Sequence, residues 1–571
     1  MKNEYENWSK EDLIKEVRLL KRRKRYGLVW EDKPEDIATK CHDEIPILDE
    51  INKYEVVNDL SSLPNIFIEG ENYHALSVLN YTHKESVDLI YIDPPYNTES
   101  EDFVYNDKIV DKEDSYRHSK WLSFMSKRLL LAKNILKRSG AIAISINENE
   151  LFQLKLLCDD IFGETNYLTT ITVKVRHEDR ILKGDKDFHE VVEYLLLYRK
   201  NSAFKPKKRE KDNTSLDEYV YLIKEKIKTP TVQKIGNKNV EIFKPDEYEL
   251  IKVLPSDKAF KKISIRGSIK EGNSSGRFYM KYLEALADKM PGYLFKVPDM
   301  GADEVPYRYF ITAQGKRVNG DYLQGVPLNR KDIIGMPYSN FIDFEEDFNS
   351  VGYEGGIEFR NGKKPLSFLQ RIFEITGIKE RKDAIILDFF AGSGTTGHAV
   401  LLLNRSVPGK RRFILCTNNE NKIAEEICYP RIVKAIKGYK GKKGIEEPLG
   451  GNLKYYKTSL ISASKTDHNR VLLTRKATKM LCLKENTFTL VEESSDICIY
   501  KNSEKYLALL LDIEHLDKFK NTIRKLDMPT NVYVFSLGND LYEEEFEEFG
   551  DKVTVSPIPE AIYKVYKRIF Q

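Results

Sequence analysis

The sequence predicts an α/β protein built on one mainly parallel sheet whose strands come from two separated stretches of chain. Three observations carry this. Short apolar runs alternate with amphipathic stretches over 50–200, the same alternation resumes from Gly362, and a charged, aromatic-rich region without it lies between. Strands separated by helices call for a parallel sheet covered on both faces. Neither stretch alone has enough strands, so one shared sheet is the economical solution.

The expected strands of the first stretch are Ile66–Ile68, Val87–Ile92, Ala141–Ile146 and Val192–Tyr198, with helices at Tyr73–Leu79 and around Trp121–Leu136. The second contributes strands Ala384–Phe389 and Arg412–Thr417, helices over 365–377 and 395–403, and a helix running to about 436. Upstream, Ser9-Lys-Glu-Asp12 has the form of a capping box and opens a helix with Leu13, Val17 and Leu20 on one stripe. Downstream, strands at Leu507–Leu511, Asn531–Ser536 and Val553–Val555 alternate with helices His515–Leu526 and Pro559–Phe570, predicting a small separate α/β module. The resulting domain expectation is an arm over 1–50, sheet halves over 51–200 and 346–445, an insert over 201–345 and a module over 446–571.

At 571 residues, 41% hydrophobic and 32% charged, the composition is globular with a charged surface. No apolar run approaches a membrane span and the start MKNEYENWSKED is too polar for a secretory leader, so a cytoplasmic protein is expected. The six cysteines include no C-x-x-C pair; neither a metal site nor a disulfide framework is expected. The net charge is only +3, but 201–340 carries a local excess of about +8, enough to attract phosphates.

Two motifs carry chemistry. Val87–Ile92 runs into Asp93-Pro94-Pro95-Tyr96. Consecutive prolines cannot donate to a ladder, so the strand ends there and leaves the Asp93 carboxylate and the Pro94 carbonyl side by side. Two adjacent acceptors beside an aromatic ring suit an exocyclic amine on a planar base. Taking both N–H hydrogens aims its lone pair at a methyl donor, and Tyr96 can stack on the base.

In the second motif, strand Ile385–Asp388 feeds Phe389-Phe390-Ala391-Gly392-Ser393-Gly394-Thr395-Thr396-Gly397. The glycines admit a ligand to the backbone and the helix start favours its carboxylate or phosphate. Gly392, Gly394 and Gly397 fit the dinucleotide fingerprint, and Glu420 follows the next strand, where a ribose hydroxyl could be held. Alone this motif does not separate a nicotinamide cofactor from S-adenosylmethionine. The amine clamp does, because hydride transfer has no use for it.

In this order the motifs resemble the β class of DNA amino-methyltransferases, whose target-recognition region lies between them; the D-P-P-Y spelling resembles the adenine-N6 branch. The resemblance implies a Rossmann-like sheet with S-adenosylmethionine as cofactor and adenine N6 as target. It further implies that Asp93, Pro94, Pro95 and Tyr96 hold the flipped base. For the cofactor it implies Asp388, Phe390, Ala391, Gly392, Ser393, Gly394 and Thr395, with Glu420, Glu71, Lys364, Pro365 and Asp93. More loosely the whole chain resembles the modification subunit of type III restriction–modification systems, which implies double-stranded DNA, a homodimer and a helicase–nuclease subunit as partners. In the insert, Arg266, Arg277, Arg308 and Lys316 are candidate DNA contacts, whereas Tyr307, Tyr309 and Phe310 suit core packing better. The alternatives are a cytosine-N4 methyltransferase, a catalytically silent DNA-binding subunit of the same fold, and a methyltransferase for RNA or protein amides.

Overall fold

The computed structural model describes residues 9–10, 30–59, 62–98, 104–105, 108–109, 114–179, 187–212, 215–301, 303, 305–328, 333–358, 363–441, 444–536, 540 and 542–570. The helix expected after Ser9 lies outside them. The chain forms two compact units, one of Lys208–Tyr338 and one of the remainder.

The larger unit is organised by a ten-stranded sheet. In chain order its strands are β1 (Glu44–Glu50), β2 (Asn65–Glu69), β3 (Val87–Ile92), β4 (Leu136–Ile146), β5 (Tyr167–Lys174), β6 (Val192–Arg199), β7 (Phe341–Asp343), β8 (Ile385–Asp388), β9 (Arg412–Thr417) and β10 (Leu453–Ser462). Their order across the sheet is β1-β10-β2-β9-β8-β3-β4-β6-β5-β7. The run β10-β2-β9-β8-β3-β4 is parallel, as the sequence predicts for strands fed by helices. β2, β3 and β8 are buried along their whole length, which is why they read as largely apolar runs, with Asp88 the charged residue inside β3.

β3 and β8, distant in sequence, are neighbours, with Leu89 opposite Ile386 and Ile90 opposite Leu387. Asp88 pins their starts together. Its carboxylate accepts the Ile385 amide at 3.0 Å and pairs with Arg381 at 3.0 Å and Lys137 at 2.7 Å. The buried carboxylate thus has its charge met by two cations and one backbone donor.

The helices that cover the sheet include α1 (Asn72–Thr82), α2 (Arg117–Ile135), α3 (Leu151–Phe162), α4 (Leu366–Thr376), α5 (Thr395–Ser406) and α6 (Tyr429–Lys437). Every residue of α1 is buried. It is covered on the sheet side by the main core and elsewhere by Leu473, Ala477 and Leu481 of helix Asp467–Glu485 and by Ile562 and Tyr566 of helix Glu560–Phe570.

That packing corrects the expectation of a separate C-terminal module. The last residues do form their own five-stranded sheet, 489–493, 497–501, 506–510, 530–535 and 553–558 in order. One face buries Phe519, Ile523 and Val532 in a local core. The other shares the main core through Leu507, Leu509 and Tyr533, and Tyr566 donates its hydroxyl to the Pro46 carbonyl at 2.6 Å. Leu453–Lys457, which fall within the 446–571 stretch expected to form this module, instead belong to β10 of the large sheet, parallel to β2.

The Lys208–Tyr338 unit is built on a six-stranded antiparallel sheet, 231–235, 238–243, 294–298, 307–311, 321–324 and 261–264 in order. Its core includes Ile242, Phe295 and Phe310 on one face and Phe243, Leu294 and Tyr309 on the other. Phe310 and Tyr309 are therefore core residues, as expected for aromatics on a two-sided strand.

Candidate active site

The chain leaves β3 at Asp93, on the carboxyl edge of the parallel run, where ligands sit in open α/β sheets. The turn that follows is clamped from two sides. Trp121 of α2, fully buried, donates its indole N–H to the Pro95 carbonyl at 2.8 Å. Asn97 adopts a left-handed conformation, φ +55°, and donates its side-chain amide to Glu150 Oε1 at 2.5 Å. His118 Nδ1 meets the same oxygen at 2.6 Å. Burial pushes the Glu150 carboxyl up to about 8.

Between these clamps the side chains form a buried charged cluster. Tyr96 Oη lies 2.8 Å from Asp93 Oδ1 and 3.1 Å from Glu193 Oε2. Lys364 Nζ donates to Tyr96 Oη at 2.7 Å and to Glu193 Oε2 at 2.8 Å, and stands 3.2 Å from Asp93 Oδ1. Lys364 is nearly enclosed, with 8% of its side chain exposed, yet two carboxylates hold its pKa above the usual lysine range against the cost of burial. Burial raises the Asp93 pKa, with Lys364 opposing and Glu193 adding to the rise. Burial also opposes ionisation of Glu193, but Lys364 and Tyr96 hold its pKa below the ordinary glutamate value. Among the described residues, no hydrogen bond reaches Asp93 Oδ2 or the Pro94 carbonyl.

The glycine turn leaves the adjacent strand. Asp388 ends β8 and folds its carboxylate back, accepting the Phe390 amide at 3.0 Å and the Thr396 hydroxyl at 2.5 Å. Burial pushes its carboxyl up to about 7; the two hydrogen bonds oppose this and the Asp93 charge adds to it. Gly392 and Gly394 have φ of +50° and +79°, conformations in which other residues are strained. A Cβ on Gly394 would stand 2.9 Å from Cys428 Sγ, and one on Gly397 would stand 2.8 Å from Ile432 and Leu415. The first two glycines shape the turn and the third lets α5 approach the sheet.

Arg431 of α6 is fully buried beneath this turn and donates to Thr395 Oγ1 at 2.7 Å and Ser393 Oγ at 3.1 Å. Burial brings its pKa down to about 10. Asn72 donates to the Phe389 carbonyl at 3.2 Å, and Phe390 packs on Phe124 with ring centroids 5.9 Å apart. Ala391 donates its amide to the Cys416 carbonyl at 3.1 Å.

The remaining candidate positions join the same edge. Glu71 is the N-cap residue of α1, two residues beyond β2, and Glu420 is exposed three residues beyond β9. Pro365 is the N-cap residue of α4. Asp93, Asp388, Glu71 and Glu420 make the edge predominantly acidic around a glycine-shaped turn, which fits a cationic sulfonium ligand. Lys364 is tied directly to Asp93 and Tyr96 at the turn after β3. The geometry also brings in Glu193, Trp121, Glu150 and Arg431, none of which the sequence analysis singled out as site residues.

In the Lys208–Tyr338 unit, Arg266, Arg277 and Lys316 are exposed. Arg308 is not available as a DNA contact: it is 3% exposed and paired at 3.0 Å with buried Asp303. Its strand position turns it inward, and an isolated charge there needs its partner.

A family model described as a DNA methylase matches residues 87–427, which contain both turns. The chain belongs to the DNA methylase family. The Mod subunit of the type III restriction–modification enzyme StyLTI from Salmonella typhimurium is 31% identical over 402 residues, covering 64% of this methylase and 55% of that protein. The type II methyltransferase M.KpnI from Klebsiella pneumoniae is 30% identical over 387 residues, covering 67% and 86%. The chain spans little more than half the length of the type III Mod relatives it matches. Among solved structures, the PvuII cytosine-N4-specific DNA methyltransferase aligns over 65% of this methylase and 90% of its own chain, with TM-score 0.32 and 9% identity.

Proposed function

We propose that this methylase transfers a methyl group from S-adenosylmethionine to adenine N6 in double-stranded DNA. The observation that carries the reading is the pair of acceptors at the base-holding turn. Asp93 Oδ2 and the Pro94 carbonyl accept nothing among the described residues, while the groups around them are engaged. A primary amine on a planar ring offers two N–H donors and satisfies both acceptors.

Bound S-adenosylmethionine supplies an electrophilic methyl carbon. The glycine turn and the acidic residues Asp388, Glu71 and Glu420 would hold the cofactor, with Glu420 placed to meet a ribose hydroxyl. The Asp93–Pro94 pair would accept both hydrogens of the amine and aim its lone pair at the methyl carbon; as the N–C bond replaces the S–C bond, the surplus proton on nitrogen would leave through Asp93 to solvent. Positioning and charge supply the rate, since direct displacement at carbon needs no strong base. Adenine N6 is paired inside the duplex, so the base must first leave the stack, at a cost of roughly a few kcal/mol. The basic Lys208–Tyr338 unit offsets that cost by gripping the backbone.

The names of the type III Mod relatives support a modification-subunit reading. With that reading we further propose a cytoplasmic homodimer acting on a short recognition sequence alongside a helicase–nuclease subunit. The test is to incubate the protein with tritiated S-adenosylmethionine and duplex DNA, digest the product and identify the labelled nucleoside by mass. N6-methyladenine is expected; N4-methylcytosine or no transfer would overturn the assignment.

A further inference from the structure

An amine clamp needs an acceptor that is not only present but aimed. Asp93 is a short side chain at the end of a strand, with a terminal torsion that is intrinsically broad. What fixes it is a pair of donors, Tyr96 Oη and Lys364 Nζ, both on the same oxygen, Oδ1. The lysine is the less constrained of the two, since Tyr96 also packs against the main core. Lys364 reaches the site from the segment before α4 and carries four rotatable bonds, and Tyr96 follows two prolines on a turn.

Both meet at one further atom, Glu193 Oε2, 2.8 Å from Lys364 Nζ and 3.1 Å from Tyr96 Oη. The fold explains why Glu193 is there. β6 runs antiparallel to β4, so its beginning, not its end, lies at the carboxyl edge of the parallel strands. Tyr194 stands opposite Ile146, the last residue of β4, and Glu193 projects from just beyond that pair.

We infer that Glu193 is a positioning residue for the methylation reaction: by tethering Lys364, whose ammonium also donates to Tyr96 Oη, it locks Asp93 Oδ1, leaving Oδ2 presented to the target amine. This deepens the function proposed above and rests on it. It also gives Lys364 a second duty: besides flanking the cofactor site, it aims the base-holding carboxylate. With Glu193 neutral, Lys364 has Asp93 as its single carboxylate partner in the cluster, and the two collapse together at the expense of the substrate.

The experiment is single-turnover methylation of duplex DNA by wild type, Glu193→Gln, Lys364→Met and the double variant, with cofactor affinity measured separately by calorimetry. Glu193→Gln is expected to slow methyl transfer about 10–100-fold while cofactor affinity stays within about twofold. The double variant is expected to match Lys364→Met alone, because the glutamate acts through the lysine.

A second readout separates aiming from general damage. The groups facing Asp93 are Lys364, Glu193, Tyr96, Tyr91 and Asp388. Removing the Glu193 charge removes a repulsion that disfavours ionised Asp93, so the acid limb of the rate–pH profile moves to lower pH in Glu193→Gln even as the plateau falls. If Glu193→Gln does not fold, as judged by its melting profile, Glu193→Asp replaces it and is expected to fall between wild type and Glu193→Ala in rate. A Glu193→Gln rate within twofold of wild type, additive effects in the double variant, or an unmoved acid limb would overturn the inference. Failure of the wild type itself to methylate DNA would instead remove the proposed function.

Discussion

The two turns at the edge of the sheet solve the same problem by opposite means. After β3 the backbone is stiffened by Pro94 and Pro95, and the chemistry is presented by side chains: Asp93, Tyr96, Lys364 and Glu193, braced by Trp121 and Glu150. After β8 the side chains recede. Asp388 turns back to serve its own loop, Arg431 supports it from beneath, and Gly392 and Gly394 leave backbone to face a ligand. On the proposed function, the first turn discriminates and the second accommodates. A base amine must be gripped at two defined atoms, whereas an adenosine cofactor is recognised by shape and by backbone groups.

The comparison breaks most sharply at Asp93. Asp93→Ala removes one of the two acceptors and leaves Lys364 paired with Glu193, so the fold survives. Methyl transfer is expected to fall by about a thousandfold or more, a larger loss than that in cofactor affinity, as read by tritium incorporation and calorimetry. Substantial residual turnover would mean that the turn does not grip the amine.

The glycine turn predicts the reverse pattern. Gly394→Ala must hold a Cβ at φ +79° and 2.9 Å from Cys428 Sγ. The left-handed conformation alone costs about 1–2 kcal/mol, and the close approach to sulfur adds to it. The expected outcome is cofactor affinity weakened by about tenfold or more with a lowered melting temperature. Because the base-holding turn is untouched, the transfer rate at saturating cofactor should change far less than in Asp93→Ala. Equal losses of rate in the two variants would erase the division of labour.

How much of this was legible in the sequence follows the same division. Motifs that are contiguous in the chain announced themselves. Val87–Tyr96 and Ile385–Gly397 each carry strand, turn and function within thirteen residues, and both strands end on one edge, as a shared sheet requires. The supporting residues did not, for a physical reason. Glu193 opens an ordinary apolar strand, and its importance comes from that strand running antiparallel, which no local pattern encodes. Arg431 reads as one more charge on an amphipathic helix, although it is fully buried. Helix Asp467–Glu485 escaped because it buries residues against α1 on one side and the C-terminal sheet on another, which blurs the single apolar stripe that periodicity detects. The fusion of the C-terminal sheet to the main core was hidden for the same reason: its strands alternate correctly for a free-standing module, and a second apolar face shows only once its neighbour is in place.

The smallest effects belong to the Lys208–Tyr338 unit, where the comparison extends from the grip on a base to the grip on a backbone. Arg308 has no part in it, since its charge is spent on Asp303 within the core. Arg266, Arg277 and Lys316 are exposed, and Arg277 gives one N–H to the Glu271 carbonyl at 3.0 Å, which orients it without neutralising it. Each changed singly to alanine should leave the melting temperature unmoved and weaken duplex binding uniformly across sequences. The slope of log affinity against log salt should drop by about one for each phosphate that is no longer neutralised. Fluorescence anisotropy on cognate and scrambled duplexes over a salt series reads this directly. A substitution that relaxed sequence preference while leaving the salt slope unchanged would reassign that residue from the phosphates to a base edge, because gripping a phosphate carries no sequence information and gripping a base releases no counterions.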